Sequence, residues 1–110
     1  MVKIAIATDF SKFPGGRYRV NGKFSGEEFR DDHLLLALNG ADKVNILLDG
    51  TAGYGSSFLE EAFGGTIRAG VSLEELERRL LVEATDPSFT TYVDEIWQYI
   101  READARKSVA

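Results

Sequence analysis

The chain has 110 residues, a formal charge of −5 at pH 7 and no cysteine. That length accommodates one buried core and excludes two, the lack of thiols excludes disulfides, thiolate nucleophiles and sulfur-ligated metals, and the acidic balance disfavours nucleic acid, whose phosphates call for clustered Lys and Arg. The composition, 44% hydrophobic and 28% charged, is that of an ordinary globular domain; no run approaches the ~20 apolar residues of a membrane span, and the start MVKIAIATDF lacks the long apolar region of a signal peptide, so the expected location is the cytoplasm.

In VKIAIA, Val2, Ile4 and Ile6 alternate with Lys3, Ala5 and Ala7, which predicts a strand with one buried face. Pro14-Gly15-Gly16 is turn chemistry, and Arg17 to Val20 alternate again, which predicts a second strand paired in a hairpin or joined by a loop. Ser25 and Glu28 form a capping box at the start of a helix whose apolar face is Phe29, His33, Leu34, Leu36 and Leu38, with Gly40 placed to end it. KVNILLD is a nearly continuous apolar run and predicts a central strand buried on both faces, ended by Asp49. Ser57-x-x-Glu60 repeats the capping box ahead of Phe58, Leu59, Ala62, Phe63 and Ile67 at helical spacing. Gly64-Gly65 within that helix costs about 2 kcal/mol relative to alanines, which calls for a close neighbour or an early end. A third box, Ser72-x-x-Glu75, starts another helix, LLVEA reads as a strand, and a last helix runs from about Thr91 to Ala105 with Tyr92, Ile96, Trp97 and Ile100 on one side.

The order β, β, α, β, α, α, β, α predicts an α/β sandwich with helices packed on a mixed sheet. A single domain over residues 1–105 and a frayed tail over 106–110 are expected.

The stretch LDGTAGYGSSFLEEAFGG carries the functional interest. Gly50, Gly53, Tyr54, Gly55, Ser56 and Ser57 lie between a strand end and a helix start, where free backbone N–H groups and the helix dipole favour anions. One reading is that Ser57 caps the helix and Ser56 sits in the turn; another is that the turn binds an anion or carries a phosphate on serine. The spacing is neither a P-loop nor a dinucleotide fingerprint nor a G-x-S-x-G elbow. His33, the only imidazole, sits among leucines as a structural residue. Carboxylates such as Asp31, Asp32, Glu60 and Glu61 read as a solvated face, so no metal and no cofactor are expected. Arg17 and Arg19, with Lys23 and Arg30, form a basic edge that either recognises an anion or pairs with nearby acids. Phe10, Phe13, Tyr18, Phe24 and Phe29 read as core and hairpin packing.

FSKFPGGRYRVNGKFSGEEFR, LDGTAGYGSSFLEEAFGG and the following IR together resemble the STAS-like domain family, small bacterial and phage-encoded domains of unknown function. The wider STAS fold, found in anti-sigma factor antagonists and sulfate-transporter tails, implies a mixed sheet carrying helices. It also implies a serine or threonine, in a D-S-S-G-like turn at a helix start, that a histidine-kinase-like ATPase phosphorylates. Laid on this chain, that turn is Gly55-Ser56-Ser57-Phe58, with Ser56 as phosphoacceptor and Ser57 as its capping neighbour; Gly55 replaces the acid and Phe58 the glycine.

The expected function is a non-enzymatic regulatory module that binds a protein partner, an ATPase of that type or another signalling protein, through the loop and through Phe58, Glu60 and Glu61 on the helix. The alternatives are a nucleotide- or phosphate-binding domain with Arg17 or Arg19 as counter-charge, and an enzyme with Ser56 as nucleophile. A homodimer is a further expectation, with Tyr54, Tyr92 and Trp97 serving either its interface or the core.

Overall fold

The computed structural model describes residues 1–107. Three short strands, β1 (Val2–Ala5), β2 (Val44–Leu47) and β3 (Leu80–Glu83), form one sheet in the order β1-β2-β3, with both pairs parallel. Parallel neighbours need crossovers, and the helices supply them. Helix α1 (residues 26–40) joins β1 to β2; helices α2 (residues 56–68) and α3 (Leu73–Arg79) join β2 to β3; α4 (Thr90–Lys107) follows. Both long crossover helices contain a π-helical turn, Arg30–Leu34 in α1 and Glu60–Gly64 in α2.

The core lies on one face of the sheet. Ile4, Ile46 and Val82 stand in register across the three strands and, with Val44 and Leu80, join Phe29, Leu34, Phe58, Leu59, Phe63, Leu76, Ile96 and Ile100 in one buried cluster. The helical spacing in 57–67 and 91–105 therefore places the expected residues inward. His33 is half-buried, stacked on Phe29 and edge-on to Phe10, as a structural histidine would be.

At two of the three expected capping boxes the serine does cap its helix, without the reciprocal bond to its own N–H. Ser25 Oγ accepts from the Glu28 N–H at 3.1 Å while Glu28 Oε1 accepts from the Phe24 N–H at 3.0 Å; Ser72 Oγ accepts from the Glu75 N–H at 3.1 Å. The box at Ser57 does not form: helix α2 begins at Ser56, with Gly55 as an N-cap that has no side chain to offer.

The strand expected at residues 17–20 is also absent. Its alternation is real, but Tyr18 and Val20 are exposed, and the backbone bonds to the start of α1 instead: Gly16 and Arg17 carbonyls accept from the Gly26 and Glu27 N–H groups, and Glu27 Oε1 takes the Arg19 N–H. A short 3-10 turn, Arg19–Asn21, is all the regular structure there. Without that strand the sheet is wholly parallel among the described residues, where a mixed sheet was expected. The central strand is buried on both faces, as expected, at Val44, Asn45 and Ile46, while Leu47 is half-buried outside the packed core. At the other end α4 continues through Arg106 and Lys107, two residues expected to fray; the rest of the expected tail, 108–110, lies outside the described residues.

Candidate functional site

The carboxyl end of β2 leads into the glycine loop, and three sets of hydrogen bonds shape it. Asp49 accepts from the Thr85 N–H at 2.9 Å, the Thr85 hydroxyl at 3.0 Å and the Asp86 N–H at 2.9 Å, so the ends of β2 and β3 are laced together. The backbone N–H groups of Thr85 and Asp86 hold the Asp49 carboxyl below the usual carboxylate range. Tyr54 is buried and donates its hydroxyl to the Leu48 carbonyl at 2.8 Å; burial pushes its pKa up to about 12. The Tyr54 N–H in turn donates to the Tyr92 hydroxyl at 3.3 Å, and Lys12 accepts from the Ala52 N–H at 2.8 Å. Gly53, at φ +114°, passes so near Tyr92 that a Cβ would lie 3.1 Å from its hydroxyl; that position requires glycine.

The loop thus ends as a rigid ramp into α2. Ser56 and Ser57, its first two residues, are exposed, and neither side chain caps the helix. Tyr99 on α4 reaches Ser56: burial raises the Tyr99 hydroxyl above its ordinary value, the Glu95, Glu102 and Glu60 carboxylates add to this, and a hydrogen bond with Ser56 opposes it.

One turn on, Glu60 and Glu61 anchor a charge network. Arg17 Nη1 lies 2.5 Å from Glu60 Oε1 and 3.3 Å from Glu61 Oε1; Arg68 grips Glu60 with two bonds of 2.7 and 3.0 Å; Arg30 pairs with Glu61 and, at 2.8 Å, with Asp31. Burial alone would raise the Glu60 pKa, but the Arg68 and Arg17 hydrogen bonds outweigh it and hold the carboxyl below its usual value. Gly64 and Gly65 make room for this network. A Cβ on Gly64 would sit 2.6 Å from Glu60 Oε2 and one on Gly65 2.7 Å from Arg30 Nη1. The helix does not break at these glycines; it continues to Arg68.

The residues singled out in the sequence are therefore only partly brought together. Gly50, Gly53, Gly55, Ser56 and Ser57 form one continuous turn. Phe58 is fully buried and Glu61 is only 6% exposed within its ion pairs, so neither presents a surface to a partner. Tyr54 is buried in the core, and Tyr92 and Trp97 are half-buried and pack against it. Arg17 holds Glu60 and Glu61, and Arg19 holds Asp32 at 2.9 Å, so the basic edge is internally paired rather than turned to the glycine loop. No hydrogen bond joins His33 to a serine among the described residues. In the segment expected to pack, Phe13 is 71% exposed and Val20 90%; Leu36 and Leu81 are exposed elsewhere. No site role was foreseen for Arg68 or Tyr99; the Gly64-Gly65 pair and the IR that follows it were the signals in the sequence.

A family model described as a STAS-like domain of unknown function (DUF4325) matches residues 25–89. The chain belongs to the STAS-like domain family. The match takes in α1, β2, the glycine loop, α2, α3 and β3, so the Ser56 turn lies within the family region of this STAS-like domain, whereas the exposed loop before Ser25 lies outside it. Comparisons with curated proteins and with solved structures return no significant match. No helix among the described residues is long and apolar enough to cross a membrane.

Proposed function

We propose that this STAS-like domain is a non-enzymatic regulatory module that a signalling partner reads at the start of α2, with Ser56 as the position whose phosphorylation switches the contact. One observation carries this reading: two exposed serines open a helix at the end of the central strand and neither has a capping duty there. The Ser25 and Ser72 caps show that the chain uses serine as a cap elsewhere.

The surroundings give the switch a physical basis. A phosphate adds about −1.5 to −2 charges, and the free N–H groups of the first turn stabilise it. Residues four apart share a helix face, so phosphate on Ser56 stands beside Glu60 and competes with it for Arg17. Arg17 belongs to the loop that exposes Phe13, Tyr18 and Val20. Phosphorylation then changes both the charge at the helix start and the hold on the apolar loop, two features a partner senses together. By family resemblance the partner is an ATPase of the histidine-kinase-like type.

The test is affinity capture from the native cell extract with wild type, Ser56→Ala and Ser56→Glu in parallel, and mass spectrometry of the Ser56 peptide. Capture of such an ATPase by wild type and Ser56→Ala, its loss with Ser56→Glu, and phosphate on Ser56 are the expected results. Equal capture by all three with an unmodified peptide overturns the proposal.

A further inference from the structure

The sheet has two unlike faces. Away from the helices, Lys3, Asn45 and Leu81 stand side by side in parallel register, followed by Ala5, Leu47 and Glu83. Lys3, Leu81 and Glu83 are exposed, Leu81 by 50%, and Ala5 and Leu47 lie outside the packed core. Parallel sheets are almost always covered on both faces. Here only one is covered among the described residues.

Asn45, at the centre of this face, is sealed by its own chain. It is 4% exposed, and its Nδ2 donates to Glu83 Oε1 at 2.6 Å, yet its buried Oδ1 has no hydrogen-bond partner. Buried acceptors are rarely left this way, because losing water without a replacement bond is costly. Lys3, beside it, makes no ion pair among the described residues.

We infer that this face is a two-fold contact between two copies of the chain. An axis midway between the two sheets and parallel to β2 lays β2 on β2, and β1 of each protomer on β3 of the other. Lys3 then stands over the partner's Leu81 and one strand step from the partner's Glu83, about 7 Å along the strand, within reach of a lysine stem. The same pair forms twice by symmetry. Asn45 lies at the axis beneath these side chains, sealed within its own chain. Ala5, Leu47 and Leu81 fill the rest. Aligned sheet packing, with strands within about 30° of each other, permits this arrangement. An unrelated partner would have to supply an acid and a base at matching positions; a second copy supplies both.

The patch is small, roughly 14 by 13 Å from strand spacing and rise, well below the ~800 Å² per partner of a standard interface. Association is therefore weak and depends on concentration.

Sedimentation velocity on the whole chain from about 10 µM to about 1 mM tests it. A monomer–dimer equilibrium in the upper part of that range is expected. Lys3→Glu and Glu83→Lys should each weaken it about tenfold or more, and the double variant should restore it to within about threefold. Both positions are exposed, and far-UV circular dichroism checks that the variants fold. A wild-type chain that stays monomeric at about 1 mM, a dimer that neither single change weakens, or a double variant as weak as the singles would each overturn the inference.

Discussion

Ser25 and Ser57 carry the same signature, a serine followed three residues later by glutamate ahead of an apolar helix, and they end in opposite roles. Ser25 is fully buried, caps α1, and its Glu28 reaches back to the Phe24 N–H. Ser57 is exposed and caps nothing, and its Glu60 is held by Arg17 and Arg68. The difference lies in what competes for the glutamate. At α1 the carboxylate of Glu28 satisfies the backbone; where two guanidinium groups converge on Glu60, charge-assisted bonds win, the helix starts two residues earlier than a Ser57 cap would set it, and neither serine caps.

The two starts are also pressed together, which gives the largest expected effect. Gly26 opens α1 against α2, and a Cβ there would lie 2.5 Å from the Phe58 carbonyl oxygen and 3.1 Å from the Ala62 nitrogen, both backbone atoms. Gly26→Ala must push the helices apart. We expect a loss of about 2–3 kcal/mol, or roughly 10–20 °C in melting temperature for a domain of this size. Thermal unfolding checks it; a variant as stable as wild type would mean that the two helix starts are not in close contact.

The second comparison is direct. Ser25→Ala removes a working cap from a buried position and should cost about 1 kcal/mol or somewhat more, whereas Ser57→Ala removes no bond and should stay within about 0.5 kcal/mol of wild type. Urea unfolding of the pair measures the difference. Equal losses would restore Ser57 to the role of a cap and remove the main support for a functional serine pair.

Much of this was legible beforehand, and the failures have physical causes. The apolar spacing placed Phe29, Phe58, Phe63, Ile96 and Ile100 inward because burial of a helix face follows the 3.6-residue period. Arg17 to Val20 alternate as a strand would, but period two says nothing about whether a neighbour exists, and here Glu27 and the start of α1 take the backbone bonds. The continuous apolar run of β2 suggested burial on both faces, and Val44, Asn45 and Ile46 are indeed buried, with Asn45 the polar residue on the second face. At the site the glycine loop and the serines were readable because they are contiguous. The Arg17–Glu60–Arg68 network was not, since it depends on a loop folding back 43 residues in sequence, and only Gly64-Gly65 hinted at the space it occupies.

The smallest effect probes why Glu60 left its capping role. Arg17 and Arg68 are 31% and 43% exposed, so their hold on Glu60 is worth less than about 1 kcal/mol, but its pH dependence is distinctive. The folded-state pKa of Glu60 lies below its ordinary value of 4.5, which makes its ionised form a stabilising one. That stability is fully present above the unfolded pKa and disappears as pH falls through the lower folded value. Asp49 titrates in the same direction, so acid unfolding of wild type alone does not separate the two. Glu60→Gln does: the stability gap between wild type and Glu60→Gln should be constant near neutrality, begin to close below about pH 4.5 and vanish at lower pH. Denaturant unfolding of both proteins at steps of pH reads that gap. A gap that persists unchanged into acid would mean that the glutamine is felt through packing, and that charge is not what draws Glu60 away from the helix start.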